Sequence, residues 1–199
     1  MTRASANAAR AQAPQTRSQR AFSLVELLLV VAVLAIVASL SLSTLGHDWR
    51  RAKLNSTAVE WAAWLELVRK AALRTESGCA ITVSTLVDQP SGSAVAVVSN
   101  LGAGESSCAA EPTLRFLAPS QGDAISTRAT SSTLIFTPRG TILGPAASEL
   151  ASGWELRLSL ASTDAMRCIR LSGLLGAVQI GSNATTGSLS AACTDYTAY

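Results

Sequence analysis

Residues 27–45 carry no charged side chain, and a single carboxylate, Glu26, stands at the head of that run. A helix needs about 20 mainly apolar residues to cross a bilayer, so a segment from Phe22 through Leu45 is long enough to do so. A charged side chain placed in hydrocarbon costs about 2.5–3.5 kcal/mol on insertion scales, which makes an isolated Glu26 a residue with a task and a partner. Four arginines, Arg3, Arg10, Arg17 and Arg20, precede the run with no acid among them, and this bias keeps the leading end in the cytoplasm. A cleaved secretory signal would account for the arginines and for small residues such as Ser41 and Ser43. Signal cores are only about 7–15 residues long, however, and an acid at the head of the core opposes insertion. An ordinary signal anchor explains the length and the arginines but leaves Glu26 without a reason.

The stretch Arg20-Ala21-Phe22-Ser23-Leu24-Val25-Glu26, followed by the apolar run, resembles the processing site of type IV prepilins and type II secretion pseudopilins. The resemblance implies a peptidase cut between Ala21 and Phe22, methylation of the new amino group, and a role for Glu26 in guiding the helix into a filament. Ala21 stands where that family usually has Gly, and it is the next smallest side chain. The leader, residues 1–21, is rich in Ala, Gln and Ser and has little apolar surface to bury, so it is expected to be disordered. The partners implied are the prepilin peptidase/methyltransferase, other pilin or pseudopilin subunits, and the bacterial inner membrane. The domain would face the periplasm and later the filament surface.

Loss of the leader removes four arginines and no acid, leaving 12 basic and 13 acidic residues. Six of those basic residues (Arg50, Arg51, Lys53, Arg69, Lys70 and Arg74) lie between the apolar run and Gly78. From Cys79 onward six arginines face eight acids, so the globular part lacks the basic excess of a general nucleic-acid binder. The four cysteines, Cys79, Cys108, Cys168 and Cys193, all follow the apolar run. Their even number and outward position suit two disulfides made in an oxidising compartment. Four cysteines allow three pairings; the sequential one, Cys79–Cys108 with Cys168–Cys193, is preferred here. A zinc site fits poorly, because there is no Cys-x-x-Cys and the one histidine is His47. No metal and no cofactor are expected.

Residues 22–77 read as one long helix whose first half is apolar all round and whose second half turns amphipathic near Trp49. Ala58, Trp61, Leu65, Val68 and Ala72 recur at three- and four-residue steps and should share a core-facing stripe. Glu66 and Lys70 are spaced for an i,i+4 pair, and Gly78 offers a left-handed stop. Beyond it the period becomes alternating, with expected strands at 80–83, 94–98, 113–117, 133–136, 154–158, 167–171 and 177–180, and a short one after Gly140. Residues 89–92 read as a turn, 102–107 as an exposed loop, and the tail from Gly181 as polar with Cys193 as its anchor. The expected fold is α+β: a long N-terminal helix, transmembrane in its apolar half and amphipathic in its outer half, packed on an antiparallel β-sheet or small β-sandwich. Its expected divisions are a leader at 1–21, an assembly helix at 22–45, its continuation at 46–78 and a β-rich domain at 79–199.

Phe136-Thr-Pro138-Arg139-Gly140, then Arg167-Cys168-Ile169-Arg170-Leu171-Ser-Gly173 with Gly176 and the distal Cys193, is similar to the closing strands of the GspH/FimT family. Members are minor subunits of type IV pili or type II secretion pseudopili, so the resemblance implies self-assembly. An enzyme is not expected: there is no Gly-x-Ser-x-Gly elbow, and no His or Lys follows Cys79 to act as a base. The alternative is an adhesive or DNA-capturing minor pilin, since some relatives hold DNA through arginines near the C-terminus. Arg139, Arg167 and Arg170, with Arg128 as a fourth, would be the contacts; Glu155 and Asp164 are available to pair with some of them. DNA is therefore kept as the less favoured partner.

Overall fold

The structure, a computed structural model, describes residues 23–102, 108, 110–116, 124–145, 150, 153–161, 163–172 and 176–199, and omits the side chains of 40–45 and 47. The leader, the Ala21/Phe22 processing pair and most of the 102–107 loop lie outside the described residues. The described residues divide into two separate units, one up to Ser43 and the other from Thr44 onward.

One helix, α1 (Leu24–Thr75), belongs to both units. In the first unit it starts with the Leu27 amide donating to the Ser23 carbonyl at 3.1 Å. From Leu24 to Val37 its large apolar side chains are 48–76% exposed, because none of the described residues of that unit packs over them. In the second unit the pattern changes. Leu54, Ala58, Trp61, Leu65, Val68 and Ala72, three or four residues apart, are all buried, whereas Trp49, Val59 and Leu67 point outward. Burying a large side chain of this kind stabilises by roughly 1.5–3 kcal/mol, and the stripe docks the helix through several of them.

Among the described residues eleven strands follow: β1 (Cys79–Val83), β2 (Gln89–Pro90), β3 (Ala94–Asn100), β4 (Thr113–Arg115), β5 (Ala124–Ala129), β6 (Thr133–Phe136), β7 (Ile142–Leu143), β8 (Trp154–Leu160), β9 (Met166–Ser172), β10 (Ala177–Asn183) and β11 (Asp195–Ala198). They make a five-stranded sheet, β4-β3-β1-β6-β7, and a six-stranded sheet, β11-β10-β9-β8-β5-β2. Every pairing is antiparallel. Alternation sends Ile81, Val83, Leu134, Phe136, Trp154, Leu156, Leu158, Ile169 and Leu171 into one core with the helix stripe. The α+β architecture of a helix on antiparallel sheets is thus the one the sequence suggests. Trp154 Nε1 is satisfied by the Ser131 carbonyl at 2.9 Å and Trp64 Nε1 by the Glu111 carbonyl at 3.2 Å.

The outer face of the six-stranded sheet carries a second, smaller cluster. Met166, Cys168 and Cys193 are buried there under Leu189, Ala191 and Tyr196, so the polar tail folds back over the sheet before joining it as β11. Disulfides join Cys79 to Cys108 and Cys168 to Cys193, with Cα atoms 5.7 and 6.2 Å apart.

Local details depart from the sequence reading. The helix stops at Thr75, and Glu76, at φ 50°, takes the left-handed conformation in place of Gly78. Gly78 serves packing: a Cβ there would lie 3.1 Å from Leu101 Cδ1, and its carbonyl accepts from the Leu101 amide. Glu66 pairs with Arg69 at 2.9 Å, one residue nearer in the chain than the expected Lys70. Residues 89–90 form an edge strand, and strands β5 and β11 occupy segments where none was expected.

Candidate assembly site

Glu26 lies exposed in the first turn of α1, where the helix dipole favours a negative charge. Around and after it the surface is apolar without interruption as far as Ala38, and Ser39 turns its hydroxyl back onto the Ile36 carbonyl at 2.8 Å. The geometry is a hydrocarbon-like rod with one carboxylate at its tip. Among the described residues no helix is long and apolar enough to cross a membrane; the stretch with described side chains breaks off at residue 40, inside the apolar run.

The second chemically distinct region is the outer face of the six-stranded sheet. Register aligns Glu155 with Arg170 and Arg157 with Cys168 on β8 and β9, and Arg128 on β5 with Arg157. Arg157 Nε donates to Glu155 Oε1 at 2.7 Å, while Arg170 Nη2 and Nε donate to Oε2 at 2.9 and 3.3 Å. The Tyr196 hydroxyl donates to the same Oε2 at 2.9 Å, and its ring lies 3.8 Å from the Arg170 guanidinium. Arg157 Nη1 also reaches the Leu189 and Ser190 carbonyls at 3.2 and 3.3 Å, tying the tail to the sheet. Tyr196 can lie flat because its cross-strand neighbour is Gly181, where a Cβ would stand 2.6 Å from the ring. Burial pushes the Glu155 carboxyl up, but hydrogen bonds from Arg157, Arg170 and Tyr196 outweigh it and hold the group below its ordinary value. Burial and then the Glu155 hydrogen bond push Tyr196 up to about 12.

Of the arginines singled out as DNA contacts, Arg128 and Arg170 share the outer face of the six-stranded sheet, but Arg139 and Arg167 do not join them. Arg167 and Arg170 are three residues apart on β9 and so face opposite sides of the sheet. Burial and then the like charge of Arg51 lower the pKa of Arg167, which places it by the start of the helix within the second unit. Arg139 is exposed at the β6–β7 turn, beside Gly140, whose added Cβ would touch Leu73 Cδ2 at 3.3 Å. Arg51 and Leu73 are separated by about 33 Å of helical rise, so Arg139 and Arg167 stand at opposite ends of the domain's helix. Among the described residues no group of His, Cys, Asp or Glu is placed to hold a metal.

On a third face, Glu60 borders a groove of about 600 Å³ lined by Ala63, Trp64, Leu67 and Leu114, and burial raises its carboxyl pKa.

A profile described as the prokaryotic N-terminal methylation motif matches residues 16–42, which contain the Ala21/Phe22 junction and Glu26. A second, described as Type II transport protein GspH, matches residues 57–175, more than half of the chain. The chain belongs to the GspH family. Two crystal structures of the Pseudomonas aeruginosa (strain PAO1) type IV minor pilin FimU, in space groups P65 and P21, are similar to it at 21% identity and a TM-score of 0.39. Each covers 63% of this chain, and 90% and 86% of the respective FimU chains. No curated protein matches. As a GspH-family chain with a prepilin methylation motif, it is a minor subunit of the type IV pilus or type II secretion kind, a structural pilin-like protein.

The tyrosine of the outer-face network escaped the sequence reading. Tyr196 sits in a tail with no alternation, and the one available clue was the need for a cover over Gly181.

Proposed function

We propose that the chain is cut before Phe22 by a prepilin peptidase, methylated on the new amine, and assembled through α1 into a type IV pilus or a type II secretion pseudopilus. The observation that carries this reading is the exposed apolar surface of residues 24–38 interrupted only by Glu26. Such a surface needs hydrocarbon or other helices around it, and the run through Leu45 gives it the length to rest in the inner membrane first. The Phe22 amine, with an ordinary pKa of about 7.7–8.0, is largely cationic at neutral pH. Glu26 pairs with that cation, its own or a neighbour's, as the helix leaves lipid. An unpaired carboxylate is severely penalised in low dielectric, so the pairing also fixes the axial stagger between subunits.

N-terminal mass spectrometry of sheared filaments tests the reading: a methylated Phe22 start is expected, and exported protein beginning at Met1 or near Ser43 refutes it.

A further inference from the structure

We propose that the outer face of the six-stranded sheet holds a binding groove for an acidic, extended peptide segment, with Arg128 and Arg157 receiving a carboxylate. Arg128 and Arg157 are directly opposed on β5 and β8. Like charges in that relation repel, and a sheet that carries them leaves a site of positive potential unless something neutralises both. Glu155 neutralises Arg157, but both of its oxygens are already taken, by Arg157 on one side and by Arg170 and Tyr196 on the other. Arg128 is exposed and makes no hydrogen bond or ion pair with any described residue. Asp88, nearby on the same face, is occupied with Ser126 and forms no ion pair with Arg128. All N–H groups of Arg128 and those on Nη2 of Arg157 thus remain free donors among the described residues.

These donors face a groove of about 330 Å³ bounded by Arg128, Thr130, Glu155, Arg157 and Ser190. That is large enough for one carboxylate side chain and is donor-rich, which selects an oxyanion. Past Arg128 a second groove of about 570 Å³ continues along Thr85, Val87, Ser131, Ser132 and Leu189. Val87 and Leu189 give it apolar contacts, so the ligand has a carboxylate with an apolar residue beside it. Neither groove has an aromatic residue among its described lining, and unpaired bases bind by stacking on such rings, so the chemistry favours a peptide over a nucleic acid. That the segment comes from a neighbouring filament subunit rests on the assembly reading; binding of the segment does not.

The test uses the full chain in detergent micelles and fluorescence anisotropy. The probes are a fluorescein-labelled octapeptide of serine, leucine and glutamate and its glutamine counterpart, with inorganic phosphate and a single-stranded oligonucleotide as competitors. Saturable binding of the glutamate peptide is expected, weakened about tenfold by the glutamine replacement or by Arg128→Gln, as loss of a charge-assisted pair requires. Arg74→Gln, which removes the same charge in the last turn of α1, should leave binding unchanged. Equal binding of both peptides, no saturable binding, or indifference to Arg128→Gln overturns the proposal. Binding of phosphate or the oligonucleotide without the glutamate peptide also overturns it and gives the groove to a phosphate ligand. Filament incorporation through Glu26 is read separately, so a failure here is distinguishable from a failure of the assembly reading.

Discussion

Glu155 accepts from two guanidiniums and a phenol with a side chain only 14% exposed, so its removal strands cations that were placed around it. Glu155→Gln is expected to destabilise the domain by about 1–3 kcal/mol, measured as a shift of the urea midpoint at neutral pH. The same residue sets part of the acid limb. Its folded pKa lies below the unfolded value near 4.5, so its contribution is present above that value and is lost as pH falls through the folded one. Tyr196 works in the other direction: with its pKa raised from 10.0 to about 12, its contribution is present below 10 and is lost as pH rises toward 12. The Glu155→Gln variant should flatten the acid limb of a stability–pH profile while leaving an alkaline limb. A variant profile parallel to that of the parent chain at low pH would show that the carboxylate is not linked to folding.

Among the elements, the helix stripe and most strands were legible because burial alternates with the period of the structure: Ala58, Trp61, Leu65, Val68 and Ala72 on α1, Trp154, Leu156 and Leu158 on β8. Strand β5 was not, because its buried positions include Ser126 and Thr127, whose hydroxyls bind Asp88, Gln89 and the Ser84 carbonyl instead of advertising a greasy face. Strand β11 escaped for a different reason: its place is set by the Cys193 bridge and the Tyr196 ring on Gly181, both contacts distant in sequence. The turn into β8 is the most demanding. Gly153 has φ +79° and a Cβ there would fall 2.5 Å from the Leu171 carbonyl oxygen, which the β8–β9 ladder holds. Gly153→Ala is therefore expected to cost at least about 1–3 kcal/mol in strain alone, more than Gly181→Ala, where a side-chain ring can swing aside. Urea denaturation of the two variants ranks them, and the reverse order would contradict this account of the turn. Replacing both Cys168 and Cys193 by Ser should cost on the order of 3 kcal/mol and speed amide exchange across 184–194 ahead of the rest of the domain.

At the scale of the whole molecule, the exposed apolar helix and the covered β domain are built for different surroundings, and Glu26 is the one charge on the described apolar surface of residues 24–38. Glu26→Ala should abolish incorporation into filaments while membrane insertion persists, since insertion becomes cheaper without the charge. Immunoblots of sheared and membrane fractions separate the two, and wild-type incorporation of the variant would remove Glu26 from the mechanism. With Arg139, Arg167 and Arg170 spread over different faces and ends, duplex DNA should bind weakly and lose its hold quickly as salt rises. Submicromolar anisotropy titrations at physiological salt, abolished by replacing those three, would instead make DNA capture the leading role. The path from α1 into the sheets has a mechanical consequence. The helix leads, within a few residues, into β1, the middle strand of its sheet, hydrogen-bonded to β3 on one side and β6 on the other, with Cys79 at the junction cross-linked to Cys108. A pull transmitted along the helix cannot peel an edge strand away; it must break two ladders together, and the first residue it loads is already covalently clamped.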